Sequence, residues 1–314
     1  MELAAFTAYR NKVVSNCARI IVGKDDVIEK ILVCFLCGGH VLLEDKPGTG
    51  KTMLLRAFAR TLGGDFRRVQ FTPDLLPSDL TGINFYNQKT GDFEFRPGPL
   101  FTSFVLADEI NRATPRTQSA LLEAMEEKQI TVDGVTSRLA EPFMVLATQN
   151  PQESFGTFPL PDAQMDRFFM RLSLGYMTRQ QELEVMARPA AQTMLDQLEP
   201  VVTPDETAYV RTAYHEVRVS DDVKNYLMDI VEATRTQGGF VSGVSTRGTL
   251  ALYQAAQAWA ALQGRDYVIP EDVKGLAPAV LCHRVVLGSS MNAEAAAQRM
   301  RKLLSEITVP LENG

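Results

Sequence analysis

Short hydrophobic runs alternate with longer helix-forming segments through the first half of the chain. Runs of this length are typical of buried strands, and their alternation with helices favours a largely parallel sheet covered on both faces. The predicted strands are 41–44, 66–71, 103–107, 143–148 and 168–174. The predicted helices are 3–17, 25–37, 51–62 and 115–128. The pattern therefore predicts an α/β fold for this half.

Two segments between these elements alternate apolar and polar residues about a turn, which predicts inserted β-hairpins. Residues 82–95 turn at a polar Asn-Gln-Lys-Thr-Gly stretch, and residues 129–139 turn at Asp133-Gly134, a pair typical of tight two-residue turns. Inserted hairpins of this kind are often working surfaces, and packing decorations are the alternative.

From about Thr178 the pattern changes to helices only. Thr178-x-x-Gln181 and Thr203-Pro204-x-Glu206 have the spacing of a capping box, which marks helix starts. Further helices are predicted at 220–237, at 245–263, from 270 onward and at 292–307. We therefore predict an α/β domain over 1–187 and an all-α domain over 188–314, with a linker around 188–203.

Composition narrows the class of protein. The chain has 314 residues, of which 45% are hydrophobic and 22% are charged, an ordinary globular balance. Its net charge of −6 disfavours a dedicated nucleic-acid binder. Four cysteines without a disulfide pattern favour a reducing compartment. With no signal peptide and no apolar run of membrane-spanning length, we expect a cytoplasmic protein without a membrane segment.

The first candidate chemistry is a glycine-containing loop, residues 45–52, that follows the first predicted strand and opens a helix. Its glycines let backbone N–H groups turn toward phosphates, Lys51 reaches the β and γ oxygens, and the Thr52 hydroxyl ligates Mg²⁺. The positive end of the helix points at the same anion. Asp45 stands where the first glycine is usual, and we expect Asp to tolerate the turn conformation there. A ligand-free glycine turn is the alternative.

Polar residues also end two later predicted strands. Asp108 and Glu109 follow a buried strand, where two carboxylates are costly to desolvate unless they meet a cation or a reacting water. Asp108 is interpreted as holding the Mg²⁺ shell, and Glu109 as the base that polarises the attacking water. Asn150 ends the next strand and could orient that water or touch the γ-phosphate. Parallel sheets gather ligand sites at such strand ends.

On these residues the chain resembles the AAA+ ATPases, and among them the MoxR family of the helix-2-insert group, which is related to the magnesium-chelatase ATPase subunit. The most specific segments, 96–100, 107–113, 147–151 and 156–168, read RPGPL, ADEINRA, ATQNP and GTFPLPDAQMDRF. The resemblance covers about residues 5–285. It implies a P-loop NTPase (AAA+) core with a parallel sheet and inserted β-hairpins, followed by a C-terminal all-α lid domain.

The resemblance also assigns roles to single residues. Val22 and Gly23 would line the adenine pocket. The phosphate-loop contacts would come from Pro47, Gly48, Thr49, Gly50, Lys51, Thr52 and Met53. The resemblance thus implies that ATP and Mg²⁺ are bound.

Two arginines complete the implied site. Arg167 resembles the arginine finger that reaches the nucleotide of the neighbouring subunit, with Arg171 and Arg112 as competing candidates. Arg247 matches the arginine that the helical domain extends onto the γ-phosphate, where it would couple nucleotide state to the angle between domains.

The function implied is ATP hydrolysis in a homo-oligomeric ring, expected to be a hexamer, that remodels, assembles or activates a partner protein. In the family the partner is often a von Willebrand factor A domain protein. Two alternatives remain open: a helicase-like nucleic-acid motor, and an ATP-dependent scaffold with little turnover. The tip of the second hairpin, residues 132–135, carries no Lys or Arg, which disfavours the former.

Overall fold

A five-stranded sheet, parallel throughout, forms the centre of the computed structural model, which describes residues 1–46, 48–150, 156–236, 239–288 and 293–310. The strands are β1 (Val41–Glu44), β2 (Phe66–Gln70), β3 (Gly82–Asn87), β4 (Asp92–Pro97), β5 (Phe104–Asp108), β6 (Gln129–Val132), β7 (Val135–Arg138), β8 (Met144–Gln149), β9 (Met170–Leu172), β10 (Phe240–Ser242) and β11 (Val286–Leu287). The central sheet has the order β2-β5-β8-β1-β9.

Helices cover both faces of this sheet. They are α1 (Leu3–Ala18), α2 (Asp25–Leu36), α3 (Lys51–Thr61), α4 (Pro77–Thr81), α5 (Pro115–Glu127), α6 (Asp162–Met165), α7 (Arg179–Ala187), α8 (Ala191–Asp196), α9 (Pro204–Ala213), α10 (Asp221–Thr236), α11 (Thr246–Leu262), α12 (Pro270–Leu281) and α13 (Ala293–Glu306). Short 3₁₀ turns occur at Ile110–Arg112 and Tyr214–Glu216. The predicted α/β fold is confirmed, and the fifth predicted strand is shorter than expected.

Strand pairing brings the polar strand ends to one edge. Residue Glu44 of β1 lies opposite Gln149 of β8, and Gln70 of β2 lies opposite Asp108 of β5. Because all five strands run the same way, these residues mark the carboxyl edge of the sheet. The phosphate loop and the carboxylate pair therefore leave the sheet on the same side.

Alternate residues of the strands feed two apolar clusters. In β1, Val41 and Leu43 face a cluster with α1, α2 and α3, whereas Leu42 faces a second cluster with α5. All three side chains are fully buried, as expected for a parallel sheet covered on both faces.

Both predicted hairpins are present. Strands β3 and β4 pair antiparallel, as do β6 and β7, and the amide of Asn84 donates to the carboxylate of Asp133 at 2.7 Å. This bond joins the first hairpin to the turn of the second. The two insertions thus form one connected surface feature.

The expectation of helices only after Thr178 was wrong in one detail. Strands β10 and β11 form a small antiparallel ribbon among the C-terminal helices. Their short segments carry no clear period-2 pattern, and the pairing is non-local. Both predicted capping boxes are confirmed, since Thr178 and Thr203 each accept from the backbone N–H three residues on.

The C-terminal helices share a core with the N-terminal ones. Helix α11 packs against α1 and α2, and one apolar cluster runs from α1 through α12. The division at residue 187/188 stays a prediction. Every helix within the described ranges is too short or too polar to cross a lipid bilayer.

A buried charge cluster ties the segment before β9 to the C-terminal helices. The side chain of Arg284 is 2% exposed and donates to the Asp166 carboxylate at 2.7 Å and to the Phe168 carbonyl at 2.7 Å. Burial lowers the pKa of Arg284, and the neighbouring carboxylate of Asp166 opposes that shift. Removing Arg284 would leave the partly buried Asp166 carboxylate without this partner and the Phe168 carbonyl with one donor fewer, which is strongly destabilising.

We therefore expect Arg284→Met to lower the free energy of unfolding by about 3–5 kcal/mol, measured by urea denaturation. The control is Arg218→Met. Arg218 is 74% exposed and pairs with Asp266 at 2.9 Å, so its replacement should cost less than about 1 kcal/mol. Equal losses in the two variants would contradict the assignment of Arg284 as a buried tie.

A buried histidine precedes β1. The ring of His40 accepts at Nδ1 from the Val145 N–H at 3.0 Å and donates from Nε2 to the Met125 carbonyl at 3.0 Å. This pattern requires the neutral ring, and burial lowers the pKa of His40 to about 4. A proton added at Nδ1 would displace the Val145 bond.

The contribution of His40 to stability should be complete above pH 6.5 and lost as the pH falls toward 4, because only the unfolded chain binds the proton in that window. The shift from 6.5 to about 4 corresponds to roughly 3 kcal/mol. Urea unfolding of wild type and His40→Asn at pH 7.5 and 4.5 tests this, with exposed His215→Asn as control. His283, also buried with a lowered pKa, acts in the same direction in all three proteins. An unchanged pH dependence in His40→Asn would refute the role.

Candidate functional site

The phosphate loop leaves β1 at the carboxyl edge and enters α3. Gly48 and Gly50 have φ angles of 81° and 88°, a left-handed conformation that favours glycine. A Cβ at either position would meet no atom within 4 Å, so the loop borders open space. Thr49 stands between them, and Pro47 lies outside the described residues.

The first turn of α3 carries the predicted phosphate and metal contacts. Lys51, Thr52 and Met53 are half-buried there. The Lys51 ammonium folds back over the loop and donates to the Asp45 carbonyl at 2.8 Å and, at 3.4 Å, to the carbonyl of the next residue. A cation, left-handed glycines and a helix amino end beside open space fit a bound polyphosphate.

The carboxylate pair is fixed by a threonine from the neighbouring strand. The Thr148 hydroxyl donates to Asp108 Oδ1 at 2.6 Å and accepts from the Glu109 N–H at 2.9 Å. Glu109 has a φ of 57°, so the chain turns sharply after β5 and aims the two carboxylates differently. The buried Thr148 hydroxyl therefore orients the Asp108 carboxylate and fixes the backbone of Glu109.

Three further polar residues meet this pair. Arg68 donates to Asp108 Oδ2 at 2.6 Å. Gln70 donates to Glu109 Oε2 at 2.7 Å, and Arg112 pairs with the same oxygen at 3.1 Å. These groups offset the charge of two partly buried carboxylates. None of the three contacts was predicted from the sequence.

The donor set suits Mg²⁺ bound together with a nucleotide. The candidate ligands are the Thr52 hydroxyl and the Asp108 carboxylate, both hard oxygen donors. Among the described residues, no group of three or more His, Cys, Asp or Glu side chains could hold a metal ion by itself. Mg²⁺ commonly binds through one or two protein oxygens plus phosphates and water, and the site fits that pattern.

Asn150 follows β8, the strand between β5 and β1, and is half-buried. The sheet thus brings Asn150 to the edge that carries Lys51, Asp108 and Glu109. The adjoining Gln149 hydrogen-bonds to Glu44, which also pairs with Arg171 at 3.5 Å. Polar contacts therefore continue across β8, β1 and β9.

Val22 and Gly23 lie beside the start of α7. Val22 is buried, and Gly23 has a φ of 64°. The side-chain amide of Gln181 donates to the Gly23 carbonyl at 3.4 Å, and a Cβ on Gly23 would collide with it. The predicted adenine pocket therefore adjoins the helix that leads out of the core.

Arg167 and Arg247 both form ion pairs with the carboxylate of Glu126, near the end of α5. Arg167 Nε is 3.0 Å from Glu126 Oε2, and Arg247 Nη2 bonds Glu126 Oε1. Arg247 Nη1 is also 3.9 Å from Asp166. A single carboxylate thus holds the two arginines that the sequence predicted to act on phosphate.

This arginine pair occupies the opposite edge of the sheet from the phosphate loop. His40 precedes β1, its ring contacts the Met125 carbonyl and its own carbonyl accepts from Phe169 N at 2.8 Å. The neighbours of these residues, Glu126 and Arg167, therefore lie at the amino edge. Strand β1 has four residues, which separate the edges by about 10 Å.

The structure places Arg247 at the amino edge, away from the phosphate loop of its own chain, and its contact with a γ-phosphate stays a prediction. Ser245 Oγ, at the start of α11, donates to Asp166 at 3.0 Å. This bond holds the start of α11 at the amino edge. The sequence motif identified the residue, but the packing of α11 against α1 and α2 decides where it points.

The three candidates for an arginine finger differ in position. Arg112 contacts Glu109 of its own carboxyl edge, and the side chain of Arg171 is 13% exposed within the sheet. Arg167 is 33% exposed at the amino edge. Of these three arginines, only Arg167 is both partly exposed and located at the edge opposite the phosphate loop of its own chain.

Comparisons with known proteins identify the family of the chain. Residues 40–170 match the model of the ATPase family associated with various cellular activities (AAA), and residues 232–307 match the AAA lid domain. The chain is 37% identical to "Chaperone MoxR1" of Mycobacterium tuberculosis, with 99% of this chain and 85% of that protein covered. It is 49% identical to "Uncharacterized protein YeaC" of Bacillus subtilis, covering 96% and 95%.

A solved structure has the same fold. The chain matches that of a "putative ATPase" from Cytophaga hutchinsonii with a TM-score of 0.88 and 40% identity. The match covers 98% of both chains.

Proposed function

The chain belongs to the MoxR family of AAA+ ATPases, and from this premise we propose that it hydrolyses ATP to ADP and phosphate within a homo-oligomeric ring, expected to be a hexamer. The observation that carries the proposal is the carboxyl edge. This edge carries both the glycine loop with Lys51 and the Asp108–Glu109 pair, in which Thr148 bonds the Asp108 carboxylate and the Glu109 N–H.

Each residue of this edge has a distinct task. Loop N–H groups and Lys51 bind the phosphates, and Thr52 and Asp108 would hold Mg²⁺, which would offset the negative charge of the phosphates. Glu109 accepts the proton of the attacking water, and Asn150 orients that water. Thr148 holds the backbone of Glu109, and Gln70 and Arg112 hold its carboxylate, so this group is positioned before substrate arrives.

We propose that Arg167 and Arg247 act on the nucleotide of a neighbouring subunit. The support is their common location at the amino edge, on the far side of β1 from their own loop. An arginine supplied in trans stabilises charge in the transition state and contributes about 10³–10⁵-fold in rate. Each subunit then carries the nucleotide-binding residues at its carboxyl edge and the arginines at its amino edge. Assembly of the ring brings the arginines of one subunit to the nucleotide of the next.

We propose that the client is a protein, with a von Willebrand factor A domain protein as a candidate partner. The first hairpin exposes large apolar side chains, with Tyr86 stacked edge-on against Phe93, which is 73% exposed. Exposed apolar patches of this kind mark protein contacts. At the second hairpin, Asp133 is bonded to Asn84 and Lys128 pairs with Glu141 at 3.3 Å, which supports a protein rather than a nucleic-acid client.

We expect Glu109→Gln to retain binding of Mg-ATP and to lower turnover by at least about 10²-fold, because the amide cannot take the proton from water. Equilibrium binding and phosphate release measure the two effects separately. Asp108→Asn is the matched variant, and it should raise the Mg²⁺ concentration needed for binding. Loss of ATP binding in Glu109→Gln would mean that this carboxylate is structural.

The trans role is tested by phosphate release over a series of protein concentrations. Wild-type specific activity should rise with concentration as subunits assemble, and Arg167→Ala should reduce it by about 10³-fold at every concentration. Arg218→Ala, on an exposed surface pair, is the control. Full activity in dilute monomer would refute the trans role. Tight ATP binding with negligible turnover in wild type would favour the scaffold alternative.

A further inference from the structure

Asp45 occupies the position of the first glycine in the phosphate loop, yet the backbone does not need a glycine there. Its φ is not positive, unlike those of Gly48 and Gly50. The backbone at Asp45 therefore does not require a left-handed conformation, and the aspartate fits the loop without strain. Asp45 is also only 6% exposed, which is unusual for a carboxylate unless it is well satisfied.

The carboxylate of Asp45 binds the chain that leaves the last strand of the sheet. Ser173 Oγ donates to it at 2.7 Å, Leu174 N at 2.6 Å and Gly175 N at 3.0 Å. Residues 173–176, here termed the β9–α7 connection, lead from β9 to α7. Three donors to one buried carboxylate form a strong and directional attachment.

Two lysines add contacts to the same connection. Lys46, the next loop residue, places its ammonium 5.2 Å from the centre of the Tyr176 ring. Lys24 donates to the carbonyls of Leu174 and Tyr176, the latter at 3.1 Å. Asp45 thus binds the N–H groups of the connection while Lys24 binds its carbonyls.

The opposite side of Asp45 faces the nucleotide site. Its backbone carbonyl accepts from Lys51 Nζ at 2.8 Å, and Lys51 is the cation assigned to the phosphates. When Lys51 turns toward phosphate oxygens, this bond to Asp45 weakens or breaks. One residue therefore touches the phosphate-binding cation with its carbonyl and the β9–α7 connection with its carboxylate.

Beyond the connection the chain is loosely held. Helix α7 has no buried residue. Its end is attached through Arg188, which donates to the carbonyl of Arg19 at 2.8 Å. A change in the β9–α7 connection therefore meets little packing resistance in α7.

We propose that Asp45 is a positioning residue that couples the phosphate loop to the β9–α7 connection, so that nucleotide binding changes the order of that connection and of α7. The inference rests on the proposed function, because it requires the loop to bind a nucleotide. A cap that merely ends β9 would make the same contacts but would not respond to nucleotide.

The test is amide hydrogen exchange of Leu174, Gly175 and α7, without nucleotide and with saturating Mg-ADP. In wild type, Mg-ADP should change exchange in these segments. Asp45→Gly restores the usual loop glycine and removes the carboxylate. We expect it to bind Mg-ADP within about threefold of wild type, to exchange the two amides about tenfold faster or more, and to lose their response to Mg-ADP.

Kinetics with Mg-ATP give an independent readout. Asp45→Gly should lower kcat while leaving KM nearly unchanged, because phosphate binding persists and only its transmission is lost. Asp272→Asn is the control, since Asp272 is equally buried and caps a backbone N–H at 3.0 Å, but lies in the C-terminal helices. It should preserve the response to Mg-ADP even if stability falls.

Ser173→Ala removes the hydroxyl that donates to Asp45, so it tests the same interaction if Asp45→Gly folds poorly. It should weaken the response in the same direction. An intact nucleotide response in Asp45→Gly or Ser173→Ala would overturn the coupling, as would loss of Mg-ADP binding confined to Asp45→Gly. Failure of wild type itself to bind Mg-ADP would instead overturn the proposed function.

Discussion

The parallel pairing of β1 with β8, and of β8 with β5, is the constraint on which the site depends. It aligns three strand ends, so the phosphate loop, Asn150 and the Asp108–Glu109 pair all emerge at one edge. Glu126 and Arg167, which precede β8 and β9 along the chain, lie at the opposite edge, where Arg247 from the start of α11 meets them. Within each chain the sheet thus separates the carboxyl-edge residues from the two arginines for which we propose a role on phosphate.

Local sequence patterns predicted most of the fold and the carboxyl edge. Buried runs of four or five apolar residues, the Asp133-Gly134 turn and the capping boxes at Thr178 and Thr203 are all encoded by neighbours along the chain, and each is confirmed. Side chains whose partners are distant in sequence were not predictable in this way. Thr148 could have been found from strand order alone, because the register of β5 on β8 sets it beside Asp108.

Arg247 and Asp45 show why motifs leave geometry open. The segment around Arg247 predicts an arginine that acts on phosphate. Whether that phosphate would belong to its own chain depends on how α11 packs against α1 and α2, and many apolar contacts set that packing. From the sequence, Asp45 is interpreted as a tolerated replacement for the usual loop glycine. In the structure its carboxylate accepts hydrogen bonds from donors more than a hundred residues away along the chain. No local pattern encodes either contact.

The charges at the amino edge differ in how firmly they are held. The buried Arg284 pairs with the partly buried Asp166, and this pair is costly to break, so it fixes the C-terminal helices to the segment before β9. Arg167 and Arg247 bind Glu126 at partly exposed positions, where an ion pair contributes only about 0–1 kcal/mol. If the two arginines act on the nucleotide of a neighbouring subunit, breaking their ion pairs with Glu126 requires little free energy. The Arg284–Asp166 pair meanwhile holds the nearby backbone in place. The firmly held Arg284–Asp166 pair and the weakly held arginines on Glu126 therefore lie next to each other, which suits a site shared between subunits.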